Sequence, residues 1–376
     1  MRTHKIEHAP MVRLGELIEL CDERNSEGKY GIDDVRGMTI SKEIISTKAD
    51  IKDTDLSKFY IVYPNEFIYN PRTHGKKIGL GFNNSLKPIL ISWNNTAFKV
   101  KDIEKVEPTY LYMIFNREEW DREACYNSWG SSTVVFAWED LCNMKIPLPS
   151  IETQKELVAV YNGLKELAEE NEKLLEPLEE SCQAFIVDCK KKYPMKKLGD
   201  MIEEVDIKNS DNKIKAVKSV SITKEFKETG AKVNKDELSG YKLVPPRHLS
   251  YVQTTKNEKC FANALNTSNE TYVVTSVNKV IKSKDENILD IGYLHLFLRR
   301  EEFDRYAIFN SWGSAREIFA YDDLCDVQIP LPPLEIQQKI VDLYNCYEEC
   351  KRISTTAREK IKNLCPALVQ KAAHSE

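Results

Sequence analysis

Long apolar runs are missing from this 376-residue sequence. No stretch approaches the roughly 18 apolar residues that a membrane helix needs, and Met1 to Pro10 carries histidines and charges in place of the apolar core of a signal peptide. A cytoplasmic, non-membrane protein is therefore expected. CxxC pairs are missing as well. The ten cysteines are scattered, and only Cys346 and Cys350 sit one helical turn apart, with no His or second Cys pair beside them. Free thiols are the expectation, not disulfides or a metal site. The histidines, His4, His8, His74, His248, His295 and His374, are not read as a metal site: only His4 and His8 are close, and no Cys stands near them. There is no GxxxxGK[ST] phosphate loop; Gly79-Leu-Gly81 is a lone GxG that reads as a turn between strands. The Asn/Asp-Pro-Pro-Tyr/Phe motif of amino-methyltransferases is absent, and Val244-Pro-Pro-Arg247 and Leu331-Pro-Pro-Leu334 read as turn or helix-starting prolines. Carboxylates are abundant, but none is paired in a context suited to acid–base work. The expectation is a chain with no catalytic residue, no metal and no cofactor of its own. Positive excess is missing too: the net charge is −5, which argues against non-specific coating of nucleic acid yet leaves room for local basic faces.

What the sequence does contain is itself, twice. Tyr126-Asn-Ser-Trp-Gly-Ser131 returns as Phe309-Asn-Ser-Trp-Gly-Ser314, an offset of 183 residues. The same offset carries Asp140-Leu-Cys142 onto Asp323-Leu-Cys325, Ile146-Pro-Leu-Pro149 onto Ile329-Pro-Leu-Pro332, and Gln154 onto Gln337. Arg117-Glu-Glu-Trp-Asp-Arg122 likewise returns as Arg300-Glu-Glu-Phe-Asp-Arg305. Upstream the offset becomes 182, so that Ile40-Ser-Lys-Glu43 faces Ile222-Thr-Lys-Glu225 and Tyr69 faces Tyr251. A repeat of this extent fixes the domain organisation before any local motif is read.

Each repeat changes character once. Its first part has short apolar runs broken by turn residues, such as Phe59–Tyr63, Glu66–Tyr69 and Ile89–Ser92, and these read as strands. Pro108 to Arg122 reads as one amphipathic helix. The second part is a long helix with an apolar or small residue in steps of three and four: Leu157, Val160, Leu164, Leu167, Asn171, Leu174, Leu178, Ser181 and Phe185. The second repeat gives Ile340, Leu343, Tyr347, Cys350, Ser354, Ala357, Ile361, Leu364 and Leu368, each 183 residues on. Two helices with equivalent heptad seams in one chain are expected to pack on each other. Polar Asn171 and Ser354 fall at equivalent seam positions and read either as tolerated imperfections or as a register-setting pair. Pro177 and Pro366 are expected to kink or end the helices locally.

The order of features is a variable α+β region, Ser-Trp-Gly-Ser, Ile-Pro-Leu-Pro, a Gln and then a long helix, all occurring twice. It resembles the specificity subunits of type I restriction–modification systems over nearly the whole chain. The resemblance implies two pseudo-symmetric α/β target recognition domains separated by two long antiparallel helices forming a coiled-coil-like spacer. On that plan residues 1–149 and 198–332 are the recognition domains, and 150–197 and 333–376 the spacer helices. It further implies a DNA sequence-specificity subunit in which each domain reads one half of a bipartite, asymmetric site. The expected partners are double-stranded DNA, two methyltransferase subunits and restriction–translocase subunits. S-adenosylmethionine, ATP and Mg²⁺ belong to those partners, and the reaction would be adenine methylation with base flipping. The outward helix faces, rich in Glu and Lys, would be the docking surface. Phe67-Ile-Tyr-Asn70 and Arg72 also resemble a run common in the family's recognition domains, from which the second repeat departs at Leu249–Val252 and Thr254. The seam spans 28 residue steps from Leu157 to Phe185, roughly 42 Å, against about 34–36 Å for one duplex turn. The alternative is a specificity factor of the same architecture serving another defence system or an orphan methyltransferase. A stand-alone nuclease would need a metal-binding carboxylate cluster that the sequence does not show.

Base reading draws on Arg, Lys, Asn, Gln, Ser and Thr in loops and at strand ends. The first repeat offers Asn70, Arg72, Thr73, His74, Lys76 and Lys77, then Asn94 and Asn95. The second offers Tyr251, Gln253, Thr254, Thr255 and Lys256, with Lys259 and Asn263 nearby. Both clusters follow an equivalent proline, Pro64 or Pro246. Arg36 with Lys42, and Lys218 with Lys224, stand at matching positions and suit phosphate contacts. Ser131 and Ser314 complete the shared motif, whose Trp129 and Trp312 read as anchors of the fold. Arg316 is a contact that the first repeat lacks, since Thr133 stands there.

Overall fold

The computed structural model describes residues 9–47, 50–74, 77–129, 134–254, 260–313 and 317–373. The chain forms two compact units, Met1–Glu170 with Ile353–Glu376, and Asn171–Arg352. Each unit thus holds one α+β module and part of each long helix. The first unit is built on an antiparallel four-stranded sheet in the order Ile18–Cys21, Thr96–Val100, Phe67–His74, Lys77–Phe82. In the second unit Ile202–Glu204, Asn278–Ser283, Leu249–Val252 and Asn263–Leu265 take the same places. The two-stranded ribbons recur in the same way; for example Met11–Arg13 pairs with Lys145–Pro147, and Met195–Lys197 with Gln328–Pro330. Strand for strand, the repeat in the sequence is a repeat in the fold.

Aromatic packing closes the first core. Phe67 stacks on Phe98 with ring centres 5.0 Å apart, Phe115 meets Phe67 edge-on at 5.7 Å, and Trp120 meets Phe136 edge-on at 6.0 Å. Burying such rings is the main apolar contribution a module of this size can make. Gly79 and Gly81 lie inside the strand Lys77–Phe82 and not in a turn. A Cβ on Gly81 would come within 2.8 Å of Ile44 Cγ1, so the glycine is there for close packing. The expected single helix over 108–122 is two, Pro108–Phe115 and Glu118–Tyr126. Asn116 ends the first by donating its side-chain amide to the Tyr112 carbonyl at 2.9 Å, and Arg117 turns extended. Glu118, Glu119 and Asp121 then favour a new helix N-terminus.

The long helices are Ile151–Lys192 and Leu334–Ala372. Both run through their prolines, Pro177 and Pro366, instead of ending there. Ser181 Oγ donates to the Pro177 carbonyl at 2.7 Å. In the first unit Leu157, Val158, Tyr161 and Leu164 share a core with Cys365, Leu368, Val369 and Ala372. In the second, Ile186 and Cys189 share a core with Ile340, Val341 and Tyr344. The start of one helix meets the end of the other, so the pairing is antiparallel. The buried row of the first helix differs from the expected seam. Val158, Ala168, Cys182, Ile186 and Cys189 are buried, whereas Val160, Leu167, Leu174 and Phe185 are exposed, as is Leu364 of the second helix. Leu157 of the expected seam is buried as well, as are Ile340, Ser354 and Ala357 of the second; the period is right, and the buried stripe of the first helix is wider and rotated by one residue because that helix also packs on a sheet module. Ser354 is buried and Asn171 half-buried.

The shared Ile-Pro-Leu-Pro…Gln signature proves to be structural. Gln154 is fully buried; its amide donates to the Pro149 and Lys105 carbonyls at 2.8 and 3.0 Å, and its oxygen accepts from Glu107 N–H at 3.0 Å. Gln337 repeats this on Pro332 (2.9 Å), Ile288 (2.9 Å) and Asp290 N–H (2.8 Å). The carbonyls of Pro147 and Pro330 accept the hydroxyls of Tyr110 and Tyr293. Each long helix is thereby clamped to its module at its first turn.

One equivalence breaks the symmetry. In the first unit Tyr112 stacks on Phe82 and donates its hydroxyl to the Lys42 carbonyl at 2.7 Å. The second unit has His295 and Leu265 in those places, and a cavity of about 590 Å³ opens between them, Arg247 and Tyr344. Burial holds the His295 imidazole down at about 3, and its Nε2 has no hydrogen-bond partner. The unfolded chain titrates near 6.5, so it takes up the proton first as the pH falls. The stability that neutral His295 confers is therefore present above about pH 6.5 and is lost toward pH 3, at about 1.4 kcal/mol per pH unit. Urea titrations at pH 7 and pH 5 should show a steeper loss for the native chain than for His295→Tyr, which copies Tyr112. Equal slopes would refute this assignment.

Candidate nucleic-acid interface

Several residues expected at the surface are not there. Lys42 is buried with its Nζ 2.6 Å from Asp121 Oδ2, and Lys224 is buried with its Nζ 2.6 Å from Asp304 Oδ1. Lys224 also donates to the carbonyls of Leu298 and Arg299. Both lysines hold left-handed backbone, φ 64 and 62, in a turn that aims the ammonium inward. Desolvation lowers both ammonium pKa values, and the aspartate partners oppose that. These lysines are corrected from phosphate contacts to internal ties: a reach of four methylenes lets a turn lysine fold under its own module. Tyr251 is in the core, and burial raises its hydroxyl pKa; its counterpart Tyr69 is equally buried. Asn263 is buried, donating to the Phe261 carbonyl at 2.7 Å, and Asn95 is buried in a turn, donating to the Ser92 carbonyl at 3.0 Å. Asn94 is exposed in that turn. Arg36 spends Nη1 on the carbonyls of Asp33 and Val35. Lys218 pairs with Glu228 and lies over the Tyr272 ring. These are local braces, invisible in a sequence because the partner carboxylates and carbonyls are distant along the chain or belong to the backbone.

The hairpin expectation fares differently. Strands Phe67–His74 and Lys77–Phe82 pair with a register shift between Tyr69 and Thr73, where Pro71 cannot donate a ladder bond. Asn70 Oδ1 caps the bulge by accepting Arg72 N–H at 2.9 Å. Arg72 and Lys77 are exposed at the hairpin end. The backbone of Arg72 bridges to Val135, and Phe136 N–H donates to the Pro71 carbonyl at 2.7 Å, tying the hairpin to the stretch after Ser-Trp-Gly-Ser. In the second unit Thr254 bridges Ile318, and Phe319 N–H donates to the Gln253 carbonyl at 2.8 Å. Gln253 and Thr254 are half-buried there. The side chains of Thr73 and His74, and Lys76, Ser131, Thr255, Lys256, Lys259, Ser314 and Arg316, lie outside the described residues. The two units carry equivalent hairpins at equivalent points of the fold, with different polar residues in sequence.

Trp129 and Trp312 correct the other expectation. Both are 73% exposed and do not anchor the core. The aromatic residues that do fill that role, Phe136 and Phe319, lie seven residues on and are fully buried. The signal that could have found them is the apolar run after the motif, Val134-Val-Phe-Ala-Trp138 and Ile318-Phe-Ala-Tyr321.

Among the described residues no helix is long and apolar enough to cross a membrane. No curated protein sequence matches the chain. The crystal structure of a type I restriction–modification S subunit from M. genitalium shares the fold at a TM-score of 0.60 and 10% identity, covering 99% of this chain and 97% of that one. The crystal structure of an HsdS subunit from Thermoanaerobacter tengcongensis aligns at a TM-score of 0.42 and 17% identity, over 99% and 98% of the two chains. The model of the type I restriction modification DNA specificity domain matches residues 8–180 and again 190–363. With two copies spanning most of its length, the chain belongs to the family of type I restriction–modification DNA specificity subunits.

Proposed function

We propose that each unit reads one half of a bipartite, asymmetric DNA site, and that the paired helices set the gap and position methyltransferase subunits for adenine methylation. The observation that carries this reading is the pair of equivalent hairpin ends, Asn70–Lys77 and Gln253–Thr254, built on one repeated scaffold but differing in side chain. Two copies of one reader with different lettering imply two different half-sites. The scaffold side chains hold the hairpins, and Arg72 has the chemistry for base or phosphate contact. Docking of the methyltransferase subunits falls to the solvent faces of the long helices, rich in Glu and Lys; on the first, exposed Val160, Leu167 and Leu174 recur at heptad spacing. Restriction–translocase subunits would join through those partners. S-adenosylmethionine, ATP and Mg²⁺ act in those partners, and the chain itself supplies recognition without chemistry.

Methylome sequencing of a host expressing the chain with its cognate methyltransferase should return a split adenine motif with a constant gap. A continuous motif, or none, would overturn the reading. In the assembled complex, Arg72→Ala is expected to weaken binding by about 1–3 kcal/mol if the guanidinium reads a base, with relaxed preference in one half-site only. Equal loss across all sequences with a shallower salt dependence would instead mark a phosphate contact. Unchanged affinity would remove Arg72 from the interface.

A further inference from the structure

Between the helix Glu118–Tyr126 and the strand-like stretch at Val135, and again between Glu301–Phe309 and Ile318, the polarity of the chain is inverted. Asn and Ser would ordinarily face water and the aromatic residues beside them would be covered. Here Asn127 donates its amide to the Glu123 carbonyl at 2.9 Å, and Ser128 its hydroxyl to Ala124 at 2.7 Å. Asn310 and Ser311 do the same to Tyr306 and Ala307, at 2.8 and 2.6 Å. The polar groups are consumed on the last carbonyls of the helix. The rings on either side are left outside: Tyr126 and Phe309 are each 83% exposed, and Trp129 and Trp312 each 73%.

The exposure is not slackness of the backbone. Trp129 and Val135 exchange two N–H···O bonds at 3.0 and 2.9 Å, and Trp312 and Ile318 do so at 3.1 and 3.0 Å. Those partners are in turn bridged to Arg72 and Thr254 on the hairpins. Each unit therefore holds a preorganised pair of uncovered aromatic rings, attached directly to the hairpin end that carries its polar residues. Uncovered aromatic area of this size, repeated at equivalent positions, is the mark of a contact surface.

We propose that the pairs Tyr126/Trp129 and Phe309/Trp312 are apolar contacts to duplex DNA, one pair for each half-site. The rings meet sugar and base faces at a step next to the groups that the hairpin reads. The proposal rests on the DNA-reading function above. Duplex DNA is the occupant because Val135, the bridge partner of Trp129, also bridges the exposed cation Arg72, and the exposed cation Lys77 lies on the same hairpin. Aromatic and apolar side chains that press into a duplex add affinity and favour steps that unstack easily.

The test uses the chain assembled with its methyltransferase and duplexes carrying the bipartite site found by methylome sequencing. Trp129→Ala and Trp312→Ala should each weaken binding by about tenfold or more, the order of magnitude found for ring–base contacts, and Trp→Phe should restore most of it. Tyr126→Ser and Phe309→Ser should weaken binding less. Because all four side chains are exposed, circular dichroism and melting of the variants should match the native chain. If the native complex reads its split site and the tryptophan variants bind equally well, the inference is overturned and the DNA-reading function stands. If the variants instead lose the methyltransferase on size-exclusion chromatography, the rings are a protein-docking surface and the inference is likewise overturned. If the native complex reads no split site, both fall together.

Discussion

Lys224→Met should cost the second unit about 3–5 kcal/mol, because it leaves the half-buried Asp304 carboxylate without its ammonium partner. Asp304 Oδ1 also accepts the Phe261 N–H at 2.8 Å, so the carboxylate holds the segment leading into strand Asn263–Leu265 as well as a lysine. The double change Lys224→Met with Asp304→Leu should recover much of the loss, since a buried pair is scarcely better than a well-packed apolar replacement. Hydrogen exchange followed by mass spectrometry would locate the effect: protection should fall across 198–332 and hold across 9–150. Lys42→Met should produce the mirror result through Asp121. If Lys224→Met melted like the native chain, the ammonium would have to be solvated and the internal-tie assignment would fail.

The second large effect is expected at the clamp. Gln337→Ala strips partners from the Ile288 and Pro332 carbonyls and the Asp290 N–H, all at the junction of helix and module. Leaving a buried backbone group unpaired costs about 1–3 kcal/mol, so the sum should exceed about 3 kcal/mol. Gln337→Glu discriminates between packing and hydrogen bonding: it keeps the volume and loses both donated bonds. Denaturant midpoints of the two variants should therefore be similar to each other and well below that of the native chain. A native-like Gln337→Glu would show that the amide bonds carry little.

Much of this architecture could be read from the sequence, and the reasons are specific. The offset of 183 residues located the two modules because motif, helix and seam all shift together. The heptad period was visible because three- and four-residue steps need no knowledge of the partner. Its phase was not, since Ala168 and Cys182 are buried by what packs on them and look no more apolar than Leu167 or Phe185. The candidate interface was legible only in part. The hairpin ends follow from strand alternation and Pro64 or Pro246, and Arg72 and Lys77 are where that pattern puts them. Lys42, Lys224, Asn95, Tyr251 and Asn263 were misplaced because burial depends on Asp121, Asp304 and backbone carbonyls that no local pattern announces. The tryptophans were misplaced for the converse reason: a large aromatic is normally covered, and Trp129 and Trp312 are not.

The clamp glutamines and the Lys–Asp ties also bear on how such a protein changes over generations. They are the same in both halves, and none of them uses a side chain from the hairpin ends. Substitutions at those ends therefore meet little resistance from folding. If each unit reads its own half-site as proposed, a new preference can be tried in one half while the other keeps its own. Durability in the scaffold and freedom at the hairpin ends are, in this molecule, two results of the same few buried bonds.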